Sequence, residues 1–213
     1  MNIKMNRLVV MMGCLLFGTF GCSGDGAQVP GTEEPGPGCD PQATDWTVWV
    51  ANQGEGIDTV TVFRNHGDEE VTAEILKVIP VERAPHNLTF SPDGSRAYVA
   101  CLGDGTSPGN VTVIDTTTLE VITSVPAGVK THSVTVTPDG KWIWVTNVTD
   151  NNLTIINADT LVAEPDPIAV GRGPAHVAFL SDGSKAYASN GNDGTISVVD
   201  VATRTVVKTI TTG

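Results

Sequence analysis

The sequence predicts an all-β fold built from repeated four-stranded antiparallel units, and three observations support this. A four-residue strand end recurs at residues 49–52, 98–101, 144–147 and 187–190, as Trp-Val-Ala-Asn, Tyr-Val-Ala-Cys, Trp-Val-Thr-Asn and Tyr-Ala-Ser-Asn. An Asp-Gly turn signal precedes three of them, at residues 93–94, 139–140 and 182–183. Val, Ile and Thr alternate at period two between Gly, Asn, Asp and Pro, which indicates short strands joined by tight turns.

Each repeat holds four predicted strands, named A to D here. Strand A begins near a histidine (His86, His132 or His176), and strand B ends in the recurring tetrapeptide. Strand C is an alternating run, and strand D closes the unit. A four-stranded sheet repeated every 40 to 50 residues is typical of a β-propeller blade. The predicted repeats cover residues 46–83, 84–129, 130–173 and 174–213.

The combined pattern is more specific than the period alone. It contains the histidine, Ser91-Pro92-Asp93-Gly94, a Tyr-Val-Thr-Asn-like strand end such as residues 144–147, a Gly/Asp/Asn loop, and a Val-Ile-Asp strand at residues 113–115. This pattern resembles the YVTN β-propeller repeat of bacterial and archaeal surface proteins, over residues 46–213. It resembles more distantly the propellers of nitrite reductase and of amine dehydrogenase heavy chains. None of the cofactor motifs of the latter is visible, so no cofactor is predicted.

The strand count predicts three full blades plus a three-stranded remnant, because the first unit starts at strand B. Relatives in the resembled family usually close with about seven blades, so we expect this arc to be part of a larger ring. Two alternatives remain: a second copy completes the ring by self-association, or the chain closes as a small four-bladed propeller. An open arc would leave strand edges exposed to pairing.

Residues 1–21 have the features of an export signal. Lys4 and Arg7 form a short basic region, and residues 8–17 are apolar. Gly21-Cys22 resembles the lipobox of bacterial lipoproteins, which implies acylation of Cys22 and attachment to the outer membrane or cell surface, facing the periplasm or the exterior. An ordinary signal peptide cut nearby is the alternative. Residues 22–45 are rich in Gly, Pro and acidic residues and predict a disordered tether.

The formal net charge is −12 at pH 7. A nucleic-acid-binding surface is basic, so this charge argues against a nucleic-acid partner. Two cysteines follow Cys22, at Cys39 and Cys101, and an exported protein permits a disulfide between them. The other possibility is that Cys101 is a free thiol buried on a strand.

The topology predicts where a ligand would bind. Consecutive strands are antiparallel, so the D-to-A and B-to-C connections emerge at the same end of the sheets. The three histidines therefore share an end with the Gly/Asp/Asn loops, and the Asp-Gly hairpins lie at the opposite end. We expect ligand contacts at the histidine end, from the following candidates: His86, His132, His176, Arg172, Asp104 and Asp193.

A metal site is not predicted there. Equivalent histidines on neighbouring blades are expected to lie too far apart to ligate one ion. Asp104 and Asp193 could ligate calcium, but Asp-Gly pairs are the residues that tight turns need. No nucleophile elbow, zinc-binding helix or phosphate-binding glycine loop is present. The sequence therefore favours a binding or scaffolding module for an envelope protein or glycan. The alternative is a lactonase-like hydrolase that uses His86, His132, His176 and Arg172 at the channel mouth.

Overall fold

The computed structural model describes residues 46–54, 56–65 and 73–212. Fifteen strands and their turns make up this part of the chain. It contains no helix that is long and apolar enough to cross a membrane. The predicted signal peptide, Cys22, the tether and Cys39 lie outside the described residues, so these predictions remain predictions.

The strands form four antiparallel sheets. The first has three strands: β1 (Trp46–Gly54), β2 (Ile57–Asn65) and β3 (Ala73–Pro80). The second has four: β4 (Pro85–Phe90), β5 (Arg96–Cys101), β6 (Pro108–Asp115) and β7 (Val121–Val129). The third has four: β8 (Thr131–Val136), β9 (Trp142–Asn147), β10 (Asn152–Asn157) and β11 (Ile168–Ala169). The fourth also has four: β12 (Pro174–Phe179), β13 (Lys185–Asn190), β14 (Thr195–Asp200) and β15 (Thr205–Thr211). The predicted β-propeller fold, with three four-stranded blades and a three-stranded remnant, is confirmed.

Apolar clusters hold each blade against the next. Tyr98 and Val113 of the second blade pack with Ile143 and Ile156 of the third, and all four are essentially inaccessible to solvent. Similar clusters join the first blade to the second and the third to the fourth. Because successive strand residues point to opposite faces of a sheet, the second and third blades each contribute to two clusters, and the fourth contributes to one. Among the described residues, no such cluster joins the fourth blade to the first.

The asparagine of the recurring tetrapeptide has a structural role. In the third blade the Asn147 Nδ2 group donates to Asn152 Oδ1 and Thr154 Oγ1, both at 2.8 Å, and Asn147 Oδ1 accepts from the Gly128 N–H at 2.9 Å. Asn147 thus ties its own blade to the end of β7. A Cβ on Gly128 would lie 2.5 Å from the Asn147 side chain, so only glycine fits beside it.

Cys101 takes this asparagine position in the second blade. Its side chain is inaccessible to solvent, and its Sγ lies 3.7 Å from Thr112 Oγ1. Burial raises the pKa of the Cys101 thiol to about 12. The described structure therefore has Cys101 as a buried, free thiol.

Candidate functional site

The histidine end is fixed by backbone hydrogen bonds that recur in each full blade. The turn before strand A contains a residue of positive φ at Ala84, Lys130 and Gly173. The carbonyls of these three residues accept from the first residue after strand B: Leu102, Val148 and Gly191. The connections between blades are therefore held against the loops between strands B and C, as the topology predicts. Every predicted ligand-face residue lies at this end.

The three predicted histidines form a continuous row across the second, third and fourth blades. We call His86, His132 and His176 the histidine row. The ring centroids of His86 and His132 are 4.2 Å apart, and those of His132 and His176 are 5.4 Å apart. The expectation that histidines on neighbouring blades lie far apart is wrong, because the blades converge at their inner strands.

His176 is not the structural equivalent of the other two histidines. In the strand registers, Pro85 pairs with Cys101, and Pro174 pairs with the matching Asn190. His86 is one residue after Pro85, whereas His176 is two residues after Pro174. His176 therefore takes the position of Asn87 and Ser133. The sequence contains the same difference. The aspartate of the following hairpin lies seven residues after His86 and after His132 but six residues after His176.

This offset lets His132 and His176 bond to opposite blades. The Ala175 carbonyl lies 3.1 Å from His132 Nδ1 and can only accept, so His132 Nδ1 carries the proton. The Ser133 hydroxyl donates to Asn87 Oδ1 at 3.2 Å and accepts from His176 Nδ1 at 3.3 Å. In the neutral form, Nε2 of both imidazoles is therefore an acceptor.

The first histidine of the row has a weaker partner. His86 Nδ1 lies 3.4 Å from Gln53 Oε1, at the end of β1. Burial is the main cause that lowers the pKa of His86, and repulsion from His132 and His176 adds to it. Burial also lowers the pKa of His132, against the hydrogen bond to Ala175. Both imidazoles are therefore neutral at neutral pH.

The charged candidates at this end serve its loops. Asp193 accepts from the Arg172 N–H at 2.7 Å and from Arg172 Nε at 2.6 Å. Asp104 accepts from the N–H groups of Thr106 and Ser107, and these bonds lower the pKa of Asp104 to about 2. Asp104 thus has the turn role that the sequence predicts, whereas the Asp193 carboxylate holds the connection that contains Arg172.

A further aspartate at the histidine end was not predicted from the sequence. Asp150 occupies the loop position of Asp193, and its Oδ2 accepts from the Val129 N–H at 2.7 Å. The repeat alignment carried the signal, because Asp150 and Asp193 both lie three residues after the tetrapeptide. Within the described residues, no group of three or more His, Cys, Asp or Glu side chains is arranged to hold a metal ion.

Within the described residues, two clefts open at the opposite end, between neighbouring hairpins. The smaller one has a volume of about 330 Å³ and lies between the second and third blades, with Asp93 and Asp139 in its lining. The larger one has a volume of about 650 Å³ and lies between the third and fourth blades. We call it the Trp142 cleft, after the indole in its lining. The sequence reasoning missed both clefts, because they depend on how adjacent blades meet.

The comparisons with known proteins agree with the fold. The family model of the cytochrome D1 heme domain matches residues 66–171, just under half of the chain. The hydrazine synthase of Kuenenia stuttgartiensis superposes with a TM-score of 0.65 at 21% identity, over 86% of this chain and 52% of that chain. The periplasmic gluconolactonase of Pseudomonas aeruginosa gives 0.64 at 18% identity, over 81% and 55%. A functionally unknown protein of Desulfotomaculum acetoxidans gives 0.66 at 14% identity, over 78% and 53%.

These similarities establish the β-propeller fold. The chain spans about half the length of the solved structures that it matches. No curated protein is significantly similar to this sequence.

The matched family model raises the question of a haem. An imidazole is a common axial ligand of haem iron. In the histidine row, however, the rings lie 4.2 and 5.4 Å apart by their centroids, so no macrocycle fits between two of them with iron ligated to either. Polar groups, Asn87 and Ser133, lie beside the rings where an apolar slot would be needed. The histidine row therefore has no slot for a haem between its rings.

Proposed function

We propose that this chain is an exported YVTN-type propeller that binds a polyhydroxylated ligand, such as an envelope glycan, at its histidine end. The observation that carries the proposal is the histidine row. It offers imidazoles whose ring orientations are fixed by neighbouring blades. A sugar hydroxyl both donates and accepts, so it matches a surface that holds imidazole nitrogens beside hydroxyl and amide groups.

Three of the charged side chains at this end are already used by its own loops. Arg172 already pairs with Asp193, and Asp104 is used by its own loop. The turn backbones are also bonded to one another, so the end is a rigid platform. A preorganised site binds with little loss of conformational entropy.

Isothermal titration calorimetry of the protein with a panel of bacterial envelope glycans tests this function. We expect at least one glycan to bind saturably, and His132→Ala to weaken it by about tenfold, since the variant removes the central ring of the row and the orientation of its neighbours. Asp115→Asn at the opposite end is the control, because Asp115 also accepts from two turn N–H groups, and the affinity of this variant should stay unchanged. Absence of binding to every glycan, or an equal loss in both variants, would contradict the proposal.

A second candidate function is hydrolysis of a cyclic ester. The supporting observation is that the pKa values of His86 and His132 are lowered, which suits a general base at neutral pH. The periplasmic gluconolactonase among the similar structures makes D-glucono-δ-lactone the natural probe. Its hydrolysis is followed by base uptake at constant pH. Turnover that His132→Ala abolishes would support this candidate, and binding without turnover would support the first.

Membrane attachment is part of the proposal and rests on the sequence. Acylation of Cys22 would anchor the propeller to a membrane by buried acyl chains, and residues 22–45 would act as the tether. Mass spectrometry of the N-terminal fragment tests this. An unmodified N-terminus cut at another residue would favour the ordinary signal peptide.

We also propose that the face of the fourth blade that points away from the third blade is covered by a further blade. A second copy or more chain would supply this blade. Ile210 is 36% exposed there, whereas its equivalent Val125, covered by the third blade, is 5% exposed. Light scattering of the purified chain distinguishes a dimer from a monomer.

A further inference from the structure

The Trp142 cleft lies at the hairpin end, away from the histidine row. We propose that it binds a basic side chain, a lysine or arginine in an exposed segment of a protein partner. This site is separate from the proposed glycan site and takes a ligand of different charge.

The cleft arises where the fourth blade departs from the repeat. Leu119, Leu161 and Arg204 occupy the same position in the turn after strand C, with φ of 57°, 57° and 56°. Leu119 and Leu161 pack against the apolar clusters of their boundaries. Arg204 does not add an apolar side chain to the cluster between the third and fourth blades. Its guanidinium carbon instead lies 4.2 Å from the centroid of the Trp142 ring.

The boundary between the second and third blades is closed by a different side chain. Arg96 is the first residue of β5, and Trp142 is the first residue of β9. Arg96 donates to the Ala158 carbonyl across the boundary between the second and third blades. Trp142 places an indole at this position in the third blade. The cleft volumes differ accordingly, about 330 Å³ against about 650 Å³.

The hairpins above the cleft are also further apart. A Cβ built on Gly140 would lie 3.4 Å from Pro92, and one built on Gly183 would lie 3.9 Å from Pro138. The Trp142 cleft is therefore the wider member of a matched pair. The narrower cleft serves as an internal control.

The lining of the Trp142 cleft matches a cation on an aliphatic stem. Trp142, Trp144 and Val201 supply apolar surface, while Asp139 and Asp182 supply carboxylates. Asp182 Oδ1 accepts from the N–H and hydroxyl of Ser184 at 2.9 and 2.8 Å. These bonds lower the pKa of Asp182, so its carboxylate stays ionised. Lys141 Nζ lies 3.9 Å from Asp139 Oδ2, so Asp182 is the carboxylate of the lining that carries the proposal. An indole together with a carboxylate attracts ammonium and guanidinium groups.

Arg204 shows that this indole accepts a cation. Its guanidinium stacks on Trp142 while its Nη1 lies 3.0 Å from Glu164 Oε2. The side chain of Arg204 is 29% exposed, so a ligand that reaches the indole must displace it. Arg204 therefore occupies the place of the proposed ligand and competes with it.

The experiment uses a trilysine amide and the same peptide with all three side chains acetylated, titrated against the full chain by calorimetry. Acetylation keeps the stems and removes the charges. We expect trilysine alone to bind, and Asp182→Asn to weaken it by about fivefold, because asparagine keeps the Oδ1 acceptor but removes the charge. Asp93→Asn at the narrower cleft should leave the affinity unchanged. Arg204→Gln should tighten binding by about threefold, because it removes the competing cation.

Three results would overturn the proposal. They are equal binding of the two peptides, equal weakening by Asp182→Asn and Asp93→Asn, and a loss of affinity in Arg204→Gln. Thermal unfolding followed by circular dichroism shows that each variant is folded. His132→Ala should not change trilysine binding, so a failure here is distinguishable from a failure of the glycan proposal.

Discussion

His132 and His176 face each other across the boundary between the third and fourth blades, with ring centroids 5.4 Å apart, although they occupy different positions in their strands. The contact exists because His176 lies two residues after Pro174, whereas His132 lies one residue after the equivalent Thr131. The row that results contains two imidazoles with lowered pKa values, His86 and His132. These lowered pKa values make the stability of the protein depend on pH.

We expect the free energy of unfolding to decrease as the pH falls from 7.5 to 5. The pKa of an unfolded histidine is 6.5, and folding lowers it at His86 and His132. Below pH 6.5 the unfolded chain therefore binds more protons than the folded chain, so the contribution to stability is present above 6.5 and is lost as the pH falls towards the folded pKa values. The hairpin carboxylates, with pKa values lowered from 3.8, act only in a lower window.

Urea unfolding at several pH values measures this dependence. His86→Gln combined with His132→Gln should flatten the curve between pH 7.5 and 5, because neither glutamine titrates. An unchanged slope in the double variant would show that other groups carry the dependence.

Asn147→Ala should destabilise the protein by about 3 kcal/mol, because it leaves the Thr154 hydroxyl and the Gly128 N–H without their buried partner. Asn190→Ala is the matched comparison. Asn190 Nδ2 donates to Thr195 and Ser197, but Asn190 Oδ1 has no hydrogen-bond partner among the described residues. We expect a smaller loss there, about 1 to 2 kcal/mol. Urea denaturation measures both, and the reverse order would contradict the assigned roles.

The Cys101 thiol should resist alkylation in the folded protein. It is inaccessible to solvent, and burial raises its pKa to about 12, so almost no reactive thiolate forms near pH 8. Iodoacetamide labelling of the peptide that contains Cys101, followed by mass spectrometry, measures this. Labelling should begin only in denaturant. Rapid labelling of the native chain would contradict the burial, and failure to label the denatured, unreduced chain would reveal the disulfide with Cys39.

The repeat period and turn residues predicted most of the fold, because tight turns and alternating strands are set by local sequence. Asp93, Asp139 and Asp182 were identified as turn residues in this way, and their hydroxyl partners confirm it. The offset of His176 was also present in the sequence, as a spacing of six rather than seven. It was missed because a recurring residue type was taken to mean a recurring position.

The Trp142 cleft could not be predicted in this way. Its existence depends on how Arg204 packs against Trp142 from the next blade, over a separation of 62 positions in the chain. Single-residue departures from a repeat, such as leucine to arginine, become informative only when the facing residue is known. The same holds for Arg96, whose partner is a backbone carbonyl of the next blade.

The most direct test of a glycan site at the histidine row follows the imidazole Hε1 signals by nuclear magnetic resonance while the glycan identified in the panel is added. We expect saturable shifts at His86, His132 and His176, with a common dissociation constant. Binding that leaves these three signals unmoved would contradict a glycan site at the histidine row.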